Sequence, residues 1–106
     1  MNVHTVRAKV KEEHVSDAEA AAKRMFAAIE REGLEGIRYA SIKLDDGVTF
    51  VAVLELEDGI ENPIPALPEA QEFYASLPAW CAEPPEIGSA TVVGSYRLFS
   101  DAVTAA

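Results

Sequence analysis

Ile37-Arg38-Tyr39-Ala40-Ser41-Ile42-Lys43-Leu44-Asp45-Asp46-Gly47-Val48-Thr49-Phe50-Val51-Ala52-Val53-Leu54-Glu55-Leu56-Glu57 is the stretch on which the fold turns. Two runs rich in β-branched, aromatic and aliphatic residues flank Asp45-Asp46-Gly47, a pattern that reads as a hairpin. The predicted strands are Ile37 to Leu44 and Val48 to Glu57. Loop length decides which side chains share a face. A two-residue turn at Asp46-Gly47 pairs Ile42 with Val51 and puts Glu55 on their face. A three-residue turn with Gly47 left-handed pairs Ile42 with Phe50 instead. The three-residue reading is preferred, because it gathers Ala40, Ile42, Leu44, Val48, Phe50, Ala52, Leu54 and Leu56 on one face. Tyr39, Ser41, Lys43, Thr49, Val51, Val53 and Glu55 then share the other, whose middle is too apolar to be simply solvated.

Before the hairpin, Asn2 to Glu12 alternates. His4, Val6, Ala8 and Val10 fall on one face; Thr5, Arg7, Lys9 and Lys11 fall on the other, as in a strand buried more deeply on one side. Val15-Ser16-Asp17-Ala18-Glu19 reads as a helix start, with Ser16 as cap and Glu19 completing a capping box. The helix runs to about Glu32 with Ala18, Ala22, Met25, Phe26 and Ile29 as its apolar stripe. Gly33 supplies the left-handed residue that ends it, and Leu34 packs back over the last turn.

After the hairpin, Gly59 to Pro68 is loop. Pro68 opens a second helix, Glu69 to about Ser76, with Ala70, Phe73, Tyr74 and Leu77 towards the core. Pro78 breaks it, which makes Ala79-Trp80-Cys81 a separate short turn. Glu83-Pro84-Pro85-Glu86 connects to a fourth strand, Ala90 to Phe99. The order βαββαβ is the ferredoxin-like α+β arrangement. Right-handed crossovers place both helices on one face of a four-stranded antiparallel sheet in the order 4-1-3-2. The opposite face, with Tyr39, Val51 and Val53, then needs a partner. The simplest is a second copy, giving a homodimer.

The length of 106 residues allows one domain, expected over residues 1–100, with a short mobile tail over 101–106. Nine basic against 18 acidic side chains give a net charge of −9. That balance disfavours nucleic acid and anionic membrane, both of which need Lys and Arg to neutralise phosphates. No apolar run approaches the roughly 20 residues that span a bilayer. One cysteine excludes an internal disulfide framework and a Cys-rich zinc site. The basic, alternating start MNVHTVRAKV is not a signal peptide, so a cytoplasmic location is expected. There is no Gly-rich phosphate loop, calcium loop, recognisable Ser-His-Asp order or metal motif, and neither cofactor nor metal is expected.

The chain resembles the dimeric α+β barrel superfamily, in particular the antibiotic biosynthesis monooxygenase-like proteins, from Val3 to Phe99. The resemblance rests on element order, length and three stretches. These are Val53-Leu54-Glu55-Leu56-Glu57-Asp58, Leu67-Pro68-Glu69-Ala70-Gln71-Glu72-Phe73-Tyr74 and Val92-Val93-Gly94-Ser95-Tyr96-Arg97-Leu98-Phe99. It implies a homodimer whose sheets form a barrel, with a cavity between sheet and helices in each subunit. It also implies relatives that include cofactor-free oxygenases of phenolic polyketides and haem-degrading enzymes. Oxygenase members often carry a Trp near the end of the third strand, where Leu56 stands here. Haem-degrading members use a His on the second helix, which this chain lacks.

His4 and Arg38 are the candidate catalytic residues. His4 is the only group on the expected helix-facing side that titrates near neutrality, as a general base for a phenolic or enolic proton requires. Its other reading, a hydrogen-bonded strand-end histidine, is favoured because no partner pattern accompanies it. Arg38 suits a substrate oxyanion or, more simply, a snorkelling sheet-edge arginine. Phe73, Tyr74 and Trp80 are candidates to line an apolar pocket for a small aromatic ligand, against the alternative of core packing. Tyr39 and Arg97 are assigned to the dimer interface or barrel. His14 reads as surface, and Cys81 as a small buried residue. Two function classes follow. One is a cofactor-independent monooxygenase-like enzyme acting on a small aromatic or enolisable metabolite; the other is a non-catalytic barrel that binds a small apolar ligand or a protein partner. They separate on whether His4 and a second polar group converge on a cavity, or Phe26, Phe50 and Phe73 fill it.

Overall fold

A computed structural model describes residues 2–97. The elements are β1 (Asn2–Lys9), α1 (Val15–Glu32), β2 (Ile37–Lys43), β3 (Thr49–Leu56), α2 (Pro68–Trp80) and β4 (Glu86–Ala90). The four strands form one antiparallel sheet in the order β2-β3-β1-β4, which is the expected order. Both helices pack on the same face of it.

The hairpin takes the register that the sequence reading set aside. Ile42 pairs with Val51, and Lys43 with Phe50. The reason lies in the loop. Asp46 Oδ1 accepts hydrogen bonds from the N–H groups of Val48 (2.9 Å) and Thr49 (2.8 Å), and Oδ2 accepts one from Thr49 Oγ1 (2.6 Å). Led by the Thr49 hydroxyl, these donors hold the Asp46 carboxyl down at about 2. Gly47, at φ 78°, completes the reversal, and the Leu44 N–H closes on the Thr49 carbonyl at 2.8 Å. A slip of one residue turns over every side chain of β2. Tyr39 and Ser41 therefore face the helices beside Phe50 and Ala52, while Arg38, Ala40 and Ile42 lie on the far face. Tyr39 is thus not on the far face, and Arg38 is not on the helix-facing one.

Strand β1 ends at Lys9 rather than Glu12, with a single further bridge between Val10 and Cys81. Lys11 bonds to the Trp80 carbonyl, and Glu12–His14 form a 3₁₀ turn that leads straight into α1. That turn supersedes the expected cap. The residue preceding α1 is His14, and no side chain caps the helix. Glu19 reaches across to Lys43 instead of back to Ser16. The deepest line of α1 is Ala18, Ala21, Met25 and Ala28, with Ala22, Phe26 and Ile29 half-buried beside it. Gly33 ends the helix at φ 59° as expected, and Leu34 folds back onto the core.

Helix α2 continues through Pro78 to Trp80. Pro78 lies in the last turn, where its missing N–H costs a single bond and the Leu77 carbonyl still accepts from Cys81 at 3.1 Å. Strand β4 also departs from expectation, since it covers Glu86–Ala90 rather than Ala90 to Phe99. Its register places Ala90 opposite Val3 and Glu86 opposite Arg7. Among the described residues no strand pairs with 92–97. Leu98, Phe99 and the expected tail lie outside the described residues.

Two core clusters follow. Met25, Ala28, Leu54, Leu56, Ile64, Leu67 and Ala70 form one; Ala8, Val10, Ala18, Leu77 and Cys81 form the other. Among the described residues no helix is long and apolar enough to cross a membrane.

Candidate functional site

The two core clusters leave a chamber between the helices and the sheet, with a volume of about 40 Å³. Its floor is Val6, Ala8 and Val10 of β1, Tyr39 and Ser41 of β2, and Phe50 and Ala52 of β3. Its roof is Ala18, Ala22, Met25 and Phe26 of α1 with Phe73, Tyr74 and Leu77 of α2. Period-two alternation on the strands and three- or four-residue spacing on the helices aim these side chains at one space. Phe26, Phe50 and Phe73 are each half-buried and line the chamber, leaving little more than the roughly 30 Å³ that one water occupies in the liquid.

Among the described residues the polar side chains in this wall are Tyr39, Tyr74 and Ser41. The Tyr39 and Tyr74 hydroxyls stand 3.5 Å apart, at the limit of direct hydrogen bonding. Burial pushes the Tyr39 phenol well above its ordinary range, and the Tyr74 hydroxyl adds to the shift. Tyr39 therefore keeps its proton, and either of the two hydroxyls can donate to the other. Its ring packs on Phe26 with centroids 4.8 Å apart, which fixes where the hydroxyl sits.

The predicted site residues divide. Phe73 and Tyr74 line the chamber. Trp80 lies behind Phe73, edge-on at 6.5 Å, and packs against the second core cluster. His4 pairs with Leu54 and Ser89 in the sheet, is exposed, and does not line the chamber. Arg38 is on the opposite face, with Nη1 3.0 Å from Glu55 Oε1. His4 and Arg38 thus do not converge on one cavity. His14 sits at the start of α1, with Nδ1 3.2 Å from an Asp17 oxygen. Burial raises the pKa of the Cys81 thiol. Among the described residues no group of three or more His, Cys, Asp and Glu is placed to hold a metal ion. Tyr39 and Ser41 were missed because the preferred loop turned β2 over; the signal that could have found them was Asp46, an acceptor followed by a threonine at the right spacing.

A wider cleft of about 620 Å³ opens beside the chamber, between α1 and the edge strand β2. It shares Ala22, Phe26, Ser41 and Phe50 with the chamber and adds Glu19, Lys23, Ala27, Glu30, Ile42 and Lys43. Lys43 pairs with Glu19 across the cleft and lowers the pKa of its carboxyl.

No protein-family model matches the chain, and no curated protein matches it. Solved structures do. An assigned antibiotic biosynthesis monooxygenase from Nitrosomonas europaea superposes with a TM-score of 0.71 at 18% identity, over 87% of this chain and 89% of that one. The fold is that of the antibiotic biosynthesis monooxygenase-like proteins. A further antibiotic biosynthesis monooxygenase gives 0.70 at 13% identity, over 89% of this chain and 100% of that one. A single-residue variant of SnoaB, a cofactor-independent oxygenase from Streptomyces nogalater, gives 0.66 at 18% identity, over 89% and 94%. The βαββαβ order and the sheet order of this chain are thus an antibiotic biosynthesis monooxygenase-like arrangement, and the chamber lies between its sheet and its helices.

Proposed function

We propose that this antibiotic biosynthesis monooxygenase-like chain acts as a cofactor-independent monooxygenase on a small aromatic or enolisable metabolite, bound between sheet and helices. The observation that carries the reading is the apolar chamber whose polar side chains are three hydroxyls, two of them paired tyrosines. The chamber, about 40 Å³, is smaller than the roughly 150 Å³ of an apolar cavity that takes up benzene, so a phenol or enol enters only as the side chains of its wall move apart, and its oxygen then lies beside the Tyr39 and Tyr74 hydroxyls. Their O–H groups stabilise the anion left when the substrate loses its proton to solvent. The anion passes one electron to O₂, and the radical pair recombines as a carbon-bound peroxide, which takes back from solvent the proton the substrate lost and becomes the hydroperoxide. Loss of water from the hydroperoxide leaves the quinone. One O₂ is consumed and one water released per quinone formed. The apolar wall keeps other proton donors from the intermediate.

The test uses 1-naphthol as probe. Oxygen uptake should match the appearance of 1,4-naphthoquinone one for one. Tyr39→Phe keeps the ring on Phe26 but loses the donor, and should slow uptake about 100-fold. The second reading, a non-catalytic binder, is favoured by the positions of His4 and Arg38 outside the chamber. It takes over if naphthol binds, with a Tyr39-dependent affinity, and no oxygen is consumed.

The far face of the sheet is proposed to pack on a second copy of the chain. Ile42 is 56% exposed there, and Val51 and Val53 are half-buried in the single chain. In the correct register Ile42 takes the place once expected of Tyr39. Sedimentation equilibrium at micromolar concentration should give a dimer, and Val53→Asp, which buries an unpaired charge, should give a monomer. A monomeric parent protein would end this proposal.

A further inference from the structure

Every residue from Glu86 to Arg97 is exposed. Ile87 is 80%, Val93 101% and Tyr96 83% exposed. Ile87 to Tyr96 carries no charged side chain, in a chain whose net charge is −9. The sequence reads as a strand as far as Phe99, but among the described residues its pairing stops at Ala90. An edge strand this apolar and free of charge is a template for another strand. The opposite edge of the sheet is β2, where Ala40, Ser41, Ile42 and Lys43 are exposed as well.

The two edges present their backbone groups in matching phase. At the ends of the β2–β3 hairpin, Leu44 N–H donates to the Thr49 carbonyl at 2.8 Å and Glu57 N–H to the Gly36 carbonyl at 2.9 Å. The even-numbered residues of β2 therefore bond to β3, and Ile37, Tyr39, Ser41 and Lys43 turn N–H and C=O to the outer edge. On the other side, Val10 N–H donates to the Val48 carbonyl at 2.9 Å, which sets the even residues of β1 towards β3 and the odd ones towards β4. The even residues of β4 thus bond to β1, and its odd residues face outward. Continued through 91–96, that phase sends the N–H and C=O groups of Thr91, Val93 and Ser95 outward, and puts Val92, Gly94 and Tyr96 on the far face of the sheet with Gly88 and Ala90.

We propose that Thr91–Tyr96 of one copy lies as an added antiparallel strand along β2 of a second copy, opposite Arg38–Lys43. This rests on the second copy proposed above for the far face and adds which edges meet. Thr91, Val93 and Ser95 then bond to Lys43, Ser41 and Tyr39, outward group to outward group. On the far face Val92 meets Ile42, two side chains 36% and 56% exposed in the single chain. Tyr96 comes beside Arg38, and its hydroxyl both donates and accepts, the chemistry that Arg38 Nε and Glu55 Oε2 lack among the described residues. A shift of two residues either way would set Ile42 against Ala90 or Gly94 and lose the apolar match. Arg97, at φ 58°, leaves the extended region and ends the strand. β4 and β2 run antiparallel in the sheet, so a two-fold axis makes the same contact twice and leaves neither edge open. A strip without charge is also where two acidic copies approach at least cost. Val93 then extends the floor of the cleft beyond Ser41, so that part of its wall belongs to the second copy.

The test is a disulfide between copies. Positions 42 and 92 form a non-hydrogen-bonded antiparallel pair, with Cα atoms about 4.5 Å apart, within disulfide reach. Within one chain β2 and β4 are three strand spacings apart, roughly 14 Å, so a bond between these positions joins two chains. Both positions are exposed, which keeps the substitutions mild, and the native Cys81 is buried. I42C/V92C, oxidised with glutathione disulfide at micromolar concentration, should run mostly as a covalent dimer on a denaturing gel without reductant. I42C/V93C, whose second cysteine points to the other face, should stay monomeric on the same gel, as should each single variant. No covalent dimer from I42C/V92C, or as much from I42C/V93C, would overturn the inference. If the parent still sediments as a dimer, that result removes the strand pairing and leaves the far-face packing. A parent that sediments as a monomer would overturn both.

Discussion

Arg38→Met is expected to lower the free energy of unfolding by about 3 kcal/mol, because it leaves the Glu55 carboxylate buried without its partner. Glu55 is 1% exposed, the Arg38 side chain is 26% exposed, and their Nη1–Oε1 distance is 3.0 Å. The pair lies in one cross-strand row, Arg38, Glu55, Val3 and Ala90, on the sheet face away from the helices. Its hydrogen bonding is incomplete: among the described residues neither Arg38 Nε nor Glu55 Oε2 has a partner. A buried pair of this kind costs desolvation on both sides, so removing both charges should be far milder than removing one. Methionine keeps most of the length of the arginine stem, and leucine at 55 fills the carboxylate's space. The double variant Arg38→Met/Glu55→Leu should therefore recover most of the lost stability. Urea unfolding of the parent, both single variants and the double variant gives the coupling directly. A single-variant loss below about 1 kcal/mol would show that solvent reaches Glu55 after all.

Met25→Ala is the second large effect, also about 3 kcal/mol. Met25 is 1% exposed and belongs both to the first core cluster and to the roof of the chamber. Truncating it removes buried methylenes and joins their space to the chamber, whose own volume is about 40 Å³. An apolar cavity enlarged in this way stays dry and accepts a small arene. Saturating benzene should raise the thermal midpoint of Met25→Ala by more than it raises that of the parent, since it binds only the folded form. If the midpoint falls but benzene restores nothing, the helices have collapsed into the space and the chamber is not rigid. Met25 is chosen over Phe26 because Phe26 also holds the Tyr39 ring, and its loss would mix packing with hydroxyl position.

Much of the architecture was legible because the signals are local. The stripe at spacings of three and four along α1, Gly33 after its last turn and Pro68 at the start of α2 mark helix faces and ends through backbone geometry alone. Element ends were read less well where another element decided them. Strand β4 ends at Ala90 opposite Val3, a pairing with a residue 87 positions away in the chain. α2 runs on through Pro78 because a proline in a final turn costs little, which depends on where the turn ends rather than on the proline.

Element order, sheet order and the placement of both helices on one face follow from the chain by itself. Period and connection handedness admit few other solutions for βαββαβ. Which face of β2 looks at the helices does not follow in the same way. Alternating residues fit either register, and the apolar pattern favoured the wrong one. The side chain of Asp46, accepting three hydrogen bonds from Val48 and Thr49, chose between them. That choice set Tyr39 and Ser41 into the chamber and Arg38 against Glu55 on the other side. The candidate site was therefore decided by tertiary structure: a strand's period names two faces, and only the loop and the packed partners determine which face meets the helices.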